Sequence, residues 1–285
     1  MKTRKLRDLD VSAVGYGCMG LSMGYGAVPE QSEAIRLIRQ AYDLGCTFFD
    51  TAELYGAGGN EILVGEALQS IRDNIVLATK FLIPTTEQTA TREGLLAEIQ
   101  SHVDASLKRL GTDYIDLYYQ HRVNKDIPVE DIAWCMGTLI REGKILGWGQ
   151  SQSTDEEIRR AHAVTPLTAI QSQYSIMDRM FEKDVIPTCE ELGIGFVSFS
   201  PLGNGFLSGK YTADTTYTGA DVRRVITGSA KKMSWQTSRF WTSLSLLLTK
   251  KVLPPHRLLL RGCCTKKSLS CRFPVPETRS ESKRI

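Results

Sequence analysis

Over residues 1–227, short apolar stretches alternate with longer amphipathic ones, and this alternation limits the fold more than any single motif does. The stretches IVLA and FVSF are apolar almost throughout, which is typical of parallel strands covered on both faces. Residues 33–45 and 91–111 repeat apolar side chains at helical spacing, and Gly111 is a candidate C-cap. Seven strand–helix alternations, the last incomplete, predict a doubly wound sheet or a (β/α)8 barrel. The strand candidates are VSAVGYG, CTFFD, NIVLATK, DYIDLYYQH, ILGWGQS, LTAIQSQYS and IGFVSFS.

Composition divides the chain at residue 227. Residues 1–227 carry 22 basic and 30 acidic side chains, a net charge of −8. Residues 228–285 carry 13 basic and 2 acidic side chains, a net charge of +11, and contain no Asp. Such a change indicates different compositional rules in the two parts. We therefore predict one domain over 1–227 and an aberrant basic tail over 228–285.

The N-terminus and the cysteines predict where the protein works. The first residues lack the apolar core of a signal peptide, and no apolar run approaches the length of a membrane span. Cys18, Cys46, Cys135 and Cys189 are scattered singly, without the spacing of a disulfide framework. We expect buried thiols in a reducing cytoplasm and no membrane partner.

The segment GYGCMG, residues 15–20, matches the dinucleotide fingerprint G-x-G-x-x-G. A true fingerprint opens a helix at once. Here LSMGYGAVPE intervenes, and no helical periodicity begins before about Glu30. The segment is therefore interpreted as a strand that ends in a Gly-rich loop, without a Rossmann domain.

Four titratable residues stand at or just after three consecutive predicted strands. Asp50, Lys80 and His121 each end a strand candidate, and Tyr55 lies in the loop after Asp50. Taken singly, Lys80 is a solvated strand end, His121 a satisfied core imidazole and Tyr55 a loop aromatic. In a parallel barrel, however, all strand C-termini point to one face, where catalytic groups gather. The spacing therefore predicts that the four form a catalytic site.

The motifs DTAELYG, ATKF, YYQHRVN, QSQYS and SFSPLGNGFLSGK resemble those of the aldo-keto reductase family, from about residue 3 to residue 227. The resemblance implies a (β/α)8 TIM barrel that binds NADPH across the C-terminal face of the strands and reduces aldehydes or ketones. By the same resemblance Tyr55 is the proton donor to the carbonyl, with Lys80 and Asp50 beside it and His121 lining the pocket. Which carbonyl compound is the substrate is not fixed by these motifs.

The expected chemistry agrees with these roles. Hydride arrival puts negative charge on the carbonyl oxygen, so a proton donor must stand within hydrogen-bond reach. A phenol with a pKa near 10 is a weak acid at neutral pH, and an adjacent ammonium is expected to lower that value. Lys80 can supply the ammonium, and Asp50 can hold Lys80 in place.

The resemblance also implies how the cofactor NADP is held. Ser151, Gln152 and Gln171 would bind the nicotinamide carboxamide, and Phe199 would stack on the ring. Gln152 stands where relatives usually have Asn or Glu. The loop from Leu202 to Lys210 would hold the pyrophosphate with backbone N–H groups and the Lys210 ammonium. The implied cofactor-binding residues are Asp50, Ser151, Gln152, Gln171, Phe199, Ser200, Leu202, Gly203, Ser208 and Lys210.

A family member should continue past the seventh strand with a helix, an eighth strand ending in a PIPGTR-type loop for the 2′-phosphate, and a closing helix. The tail shows none of these patterns. If the gene lost one base between the codons of Thr227 and Gly228, plausible codons re-read one base earlier turn CRFPVPETRSESKR into LPIPGTRNPERVEA. A single one-base shift of the reading frame accounts for the whole tail, so a frameshift is the preferred interpretation. The tail is then expected to lack the last strand and helices and to impair activity.

Other interpretations of the tail and of the protein stay open. The segment 254–267, with His256 beside a Cys pair, is a metal-site candidate, but it lacks paired ligand spacing. Its positive charge alone does not indicate a nucleic-acid partner. The scaffold could also be a non-catalytic remnant or a regulatory subunit, because fold does not imply function. Oligomeric state is not readable from the residues.

Overall fold

The computed structural model describes residues 1–208, 211, 215–226 and 269–273, the last of these and residues 225–226 by their backbone alone. Two strands at the N-terminus form an antiparallel hairpin, β1 (Thr3–Leu6) and β2 (Leu9–Ser12). The remaining strands belong to one parallel sheet. They are β3 (Tyr16–Gly17), β4 (Phe48–Asp50), β5 (Val76–Phe81), β6 (Ile115–Gln120), β7 (Ile145–Ser151), β8 (Ala169–Gln173), β9 (Gly195–Phe199) and β10 (Leu269–Phe273).

The sheet runs in chain order from β3 to β10, and every neighbouring pair is parallel. Cα atoms of β10 also approach those of β3 within 8 Å, so the sheet curls back towards its own first strand. This is the predicted (β/α)8 barrel, and the alternative of a doubly wound sheet is excluded because its strand order would not be sequential.

Two sequence predictions about strands need correction. The candidate VSAVGYG is divided: Val11 and Ser12 belong to the hairpin, and only Tyr16 and Gly17 join the barrel. The tail was expected to supply no eighth strand, yet Leu269–Phe273 pairs in parallel with β9, with a register irregularity between Leu269 and Cys271. The other residues of the predicted tail lie outside the described part of the chain.

Helices connect the strands, and their ends follow local sequence signals. In α3 (Arg92–Leu110), Thr91 caps the first turn by accepting a hydrogen bond from the Gly94 N–H, and Gly111 closes the last turn in the left-handed region (φ 64°). Thr154 and Glu157 form a capping box at the start of α5 (Asp155–Val164). The helices are α1 (Gln31–Asp43), α2 (Gly59–Leu68), α3 (Arg92–Leu110), α4 (Val129–Arg141), α5 (Asp155–Val164), α6 (Val185–Leu192) and α7 (Arg223–Ile226).

The core has an outer and an inner layer, as a barrel requires. The outer layer packs helix faces against the strands, and the inner layer fills the barrel with side chains such as Phe48, Leu117 and Val197. Leu6 and Val11 of the hairpin join the inner layer and close the N-terminal end. At Gly195 a Cβ would lie 2.5 Å from Leu6 Cδ2, so glycine lets the hairpin approach. No helix in the described ranges is long and apolar enough to cross a bilayer.

Candidate active site

The C-terminal ends of β4, β5 and β6 bring together the side chains that the sequence predicted. Asp50 is the last residue of β4, Lys80 lies near the end of β5, and His121 follows β6 directly. Tyr55 begins a short 3-10 turn five residues after Asp50. The rings of Tyr55 and His121 meet edge to face, with centroids 5.7 Å apart. Parallel pairing of the three strands is what makes these residues neighbours.

Lys80 contacts both Asp50 and Tyr55 and so joins the residues of the cluster. Its ammonium donates to Asp50 Oδ1 in a short ion pair and to the Thr51 carbonyl oxygen at 2.7 Å, and it lies 3.5 Å from the Tyr55 hydroxyl. The Lys80 side chain is only 1% exposed. Asp50 Oδ2 also accepts a hydrogen bond from Gln171 Nε2 at 2.9 Å. The buried charge of Lys80 is therefore paired and hydrogen-bonded, as a buried ammonium requires.

The electrostatics of Tyr55 differ from the prediction. Burial of its hydroxyl raises the pKa of Tyr55, and the lowering effect of Lys80 does not overcome it. The expected net fall in the phenol pKa is therefore wrong. For Lys80 itself burial favours the neutral amine, but Asp50 and the Tyr55 oxygen outweigh burial and raise the Lys80 pKa. The resting site thus holds a protonated phenol beside an ammonium.

His121 is a neutral imidazole at physiological pH. Burial, together with the nearby charges of Lys80 and Arg122, lowers the pKa of His121 to about 3. Its Nδ1 atom is buried and has no hydrogen-bond partner among the residues that the structure describes. His121 can therefore hydrogen-bond to a ligand, but it does not carry the proton of an imidazolium.

Two side chains, one buried and one half-buried, fix the loop that carries Tyr55. Asn60, fully buried, accepts from the Thr51 hydroxyl at 2.6 Å and donates to the Cys18 carbonyl oxygen at 2.9 Å. Glu53 accepts from the Leu82 N–H at 2.9 Å and contacts His102 Nδ1 at 2.7 Å. The loop is thereby tied to the segments after β3 and β5 and to α3.

A cavity of about 300 Å³ opens over the cluster. Its wall includes predicted residues, among them Tyr55, His121 and Phe199, and also residues that the sequence did not single out. The Gly-rich loop after β3 supplies part of this wall. The Gly-x-Gly spacing in the sequence predicted a loop there but did not predict that its side chains line the cavity. The residues not singled out are Gly17, Met19, Met23, Tyr25, Leu54, Arg122, Asn204 and Val222.

The residues expected to hold a carboxamide fall into two groups. Ser151 and Gln171 line the cavity beside Asp50. Gln152 has a left-handed backbone (φ 62°), and its side-chain oxygen accepts from the Gln173 N–H at 3.3 Å. Gln152 does not line the cavity, so its side chain bridges neighbouring strand ends instead.

The loop after β9 turns tightly beside the cavity. Ser200 lines the cavity, and its hydroxyl donates to Asn204 Oδ1 at 2.8 Å. Leu202, Gly203 and Ser208 lie in the turns that follow and do not line the cavity. The N–H groups of Gly203 and Ser208 donate to carbonyl oxygens of this same loop. Lys210 lies outside the described residues.

Comparison with known proteins agrees with this barrel. The sequence model of the aldo/keto reductase family matches residues 13–253, past the boundary predicted at residue 227. The chain belongs to the aldo/keto reductase family.

Among relatives, the Glycine max protein named Probable aldo-keto reductase 1 is 42% identical over 219 residues, which is 76% of this chain. The chain spans 63% of the length of that relative. The aldo-keto reductase AKR11C1 from Bacillus halodurans, solved in its holo form, superimposes with a TM-score of 0.77 at 28% identity, covering 99% of this chain and 89% of its own. The glycerol dehydrogenase AKR11B4 from Gluconobacter oxydans superimposes with a TM-score of 0.82 at 25% identity. This match covers 95% of this chain and 85% of the dehydrogenase.

Proposed function

We propose that this barrel reduces aldehydes or ketones to alcohols with NADPH, and that Tyr55 is the proton donor. The observation that carries the proposal is the contact between the Lys80 ammonium and the hydroxyl of Tyr55, which lie 3.5 Å apart, together with the place of Tyr55 on the cavity wall. A protonated phenol beside a fixed positive charge is suited to protonate an oxygen on which negative charge develops.

The roles of the four residues follow from their contacts. Burial keeps the Tyr55 phenol protonated in the resting site, so a proton is available at its oxygen. As that proton leaves, the charge on the phenolate is stabilised by Lys80, which Asp50 holds in position. Because His121 is neutral, it can donate one hydrogen bond to the substrate oxygen, but it cannot act as an imidazolium acid.

The residues around the cavity fit a nicotinamide group. Gln171 donates to Asp50 through its nitrogen, which leaves its carbonyl oxygen for a carboxamide N–H, and the Ser151 hydroxyl lies on the same wall. Phe199 lines the cavity and offers an aromatic face to a flat ring. When bound, such a cofactor supplies the hydride. The relative solved in its holo form supports this assignment, and the choice of NADPH rests on family resemblance.

We also keep the proposal that residues 228–285 as written impair the reaction. The family resemblance implies that the eighth strand leads into a loop that holds the 2′-phosphate, and CRFPVPETR lacks the expected PIPGTR pattern. The expected result is weak NADPH binding with the side-chain cluster of the barrel retained. The four free buried cysteines of the barrel support a place in a reducing cytoplasm.

The test is NADPH-dependent reduction of an aromatic aldehyde, followed by absorbance at 340 nm at high NADPH concentration. Removing the proton donor in Tyr55→Phe should lower kcat/KM by about 10³-fold, because a positioned acid contributes about 10²- to 10⁴-fold. Tyr42→Phe, at a half-buried residue of α1 that does not line the cavity, is the matched control and should keep the wild-type rate. Equal rates in wild type and Tyr55→Phe would exclude Tyr55 as the donor. No turnover by any of these proteins would favour a regulatory scaffold.

A further inference from the structure

The charges that line the cavity are not balanced. Asp50 is compensated by Lys80 and Gln171, and His121 is neutral. Arg122 lines the same cavity, and among the described residues its guanidinium is hydrogen-bonded to the His121 carbonyl oxygen and the Ser151 hydroxyl, neither of which is charged. Exposed arginines elsewhere are mostly paired, for example Arg159 with Glu191. The remaining uncompensated charge at the cavity wall is therefore positive.

Arg122 is also held in a defined position. Its Nη1 atom donates to the His121 carbonyl oxygen at 2.5 Å and to the Ser151 hydroxyl at 3.1 Å. Both partners belong to the cavity wall, so the guanidinium is held at that wall. The residue is exposed, and both hydrogen bonds use Nη1, so the donors on Nε and Nη2 are left for a ligand. Arginine presents a planar set of donors that matches a carboxylate or a phosphate.

The rest of the wall suits an organic molecule rather than a free ion. The cavity wall also contains five apolar residues, Met19, Met23, Leu54, Phe199 and Val222. A cavity of about 300 Å³ keeps any ligand that contacts Tyr55 close to Arg122. A small carbonyl compound with an apolar body can therefore reach both residues.

We propose that Arg122 determines specificity by binding an anionic group of the substrate, so that the preferred substrates are carbonyl compounds that carry a carboxylate or a phosphate. This inference rests on the proposed function, because it assumes that the carbonyl lies at Tyr55. The Arg122 guanidinium binds the anionic group of the substrate and does not itself transfer a proton. We assign the anion to the substrate rather than to a cofactor phosphate because the Arg122 charge lies close enough to Tyr55 to act on its pKa, which places Arg122 near the reacting carbonyl.

The experiment compares acid and ester pairs that differ only in charge: 4-formylbenzoate with its methyl ester, and benzoylformate with its methyl ester. The ratio of kcat/KM for acid over ester is measured for wild type, Arg122→Met and Arg122→Lys. Arg141→Met, on exposed α4 surface, removes the same charge at a distance. In Arg122→Met the ratio should fall at least 10-fold for one pair or both, in Arg122→Lys it should fall less, and in Arg141→Met it should stay at the wild-type value. An unchanged ratio for both pairs in Arg122→Met overturns the inference.

A binding measurement separates this inference from the proposed function. Calorimetric titration of the same acids and esters into the 285-residue chain needs no turnover. Tighter binding of an acid than of its ester, lost in Arg122→Met, supports the anion site even where no reduction occurs, and the proposed function alone then fails. Equal binding of every acid and its ester overturns the inference. Loss of NADPH affinity in Arg122→Met with an unchanged acid-to-ester ratio assigns the anion to the cofactor and also overturns it.

Discussion

Residues 1–227 and residues 228–285 differ in what they contribute to the described molecule. The first part supplies the hairpin, seven barrel strands and all four side chains of the candidate catalytic cluster. The second supplies one described strand, Leu269–Phe273, in the eighth position of the sheet. Their net charges, −8 and +11, have opposite signs. A barrel site assembled from strands four to six of the chain therefore does not need the tail for its side-chain geometry, and the tail is expected to matter for the cofactor.

The largest expected effect lies within the first part. Lys80→Met leaves the buried Asp50 carboxylate without its cation, and breaking a buried ion pair costs about 3–5 kcal/mol. We expect this loss in the free energy of unfolding, measured by urea denaturation, together with a fall of about 10²-fold or more in kcat/KM. Lys125→Met, an exposed residue, is the control. A Lys80→Met protein as stable and as active as wild type would show that the cluster carries neither stability nor chemistry.

The next effect concerns the tail. Inserting one base after codon 227 restores the proposed reading frame, and we expect NADPH to bind at least about 10-fold more tightly than to the 285-residue chain, since one charged contact contributes about 1.5–3 kcal/mol. Fluorescence titration measures both dissociation constants, and a chain ending at Thr227 serves as the control without a tail. Micromolar or tighter NADPH binding by the 285-residue chain would contradict impairment. A DNA read across codons 220–240 tests the frameshift itself.

A smaller effect comes from pH. The folded-state pKa of His121 is about 3, below the ordinary value near 6.5, so the folded state resists protonation that the unfolded state accepts. The fold therefore loses stability as pH falls from about 6.5 towards 3, by at most about 1.4 kcal/mol per pH unit from this residue. In His121→Gln the part of this stability loss that comes from residue 121 should disappear, as measured by thermal unfolding between pH 7 and pH 4. An identical slope in both proteins would contradict the assignment of a neutral buried imidazole.

Sequence predicted the position of the site better than its electrostatics. Asp50, Lys80 and His121 could be found because strand ends of a parallel barrel converge, and that convergence depends only on strand order. The net direction of the Tyr55 pKa could not be found, because it depends on how far the hydroxyl is buried. Arg122 escaped notice because a lone arginine after a strand gains meaning only when its unpaired position on the cavity wall is known.

The tail shows a different limit of sequence interpretation. The stretch LSCRF carries an Arg and a Ser and lacks the apolar pattern of a covered parallel strand, so no strand was predicted there. Edge pairing with β9 through backbone hydrogen bonds does not require that pattern. Side-chain periodicity therefore misses a strand whose place is set by its neighbour.

Deuterium transfer from NADPH that is deuterated at the hydride position tests whether this barrel reduces a carbonyl group. The 285-residue chain is incubated with millimolar deuterated NADPH and an aromatic aldehyde, and the alcohol is analysed by mass spectrometry. We expect one deuterium per alcohol molecule, and we expect Tyr55→Phe to form the labelled alcohol about 10³-fold more slowly than the wild type. Alcohol without deuterium, or no alcohol from either the 285-residue chain or its frame-restored form, would contradict the assignment of a carbonyl reductase site to these strand ends.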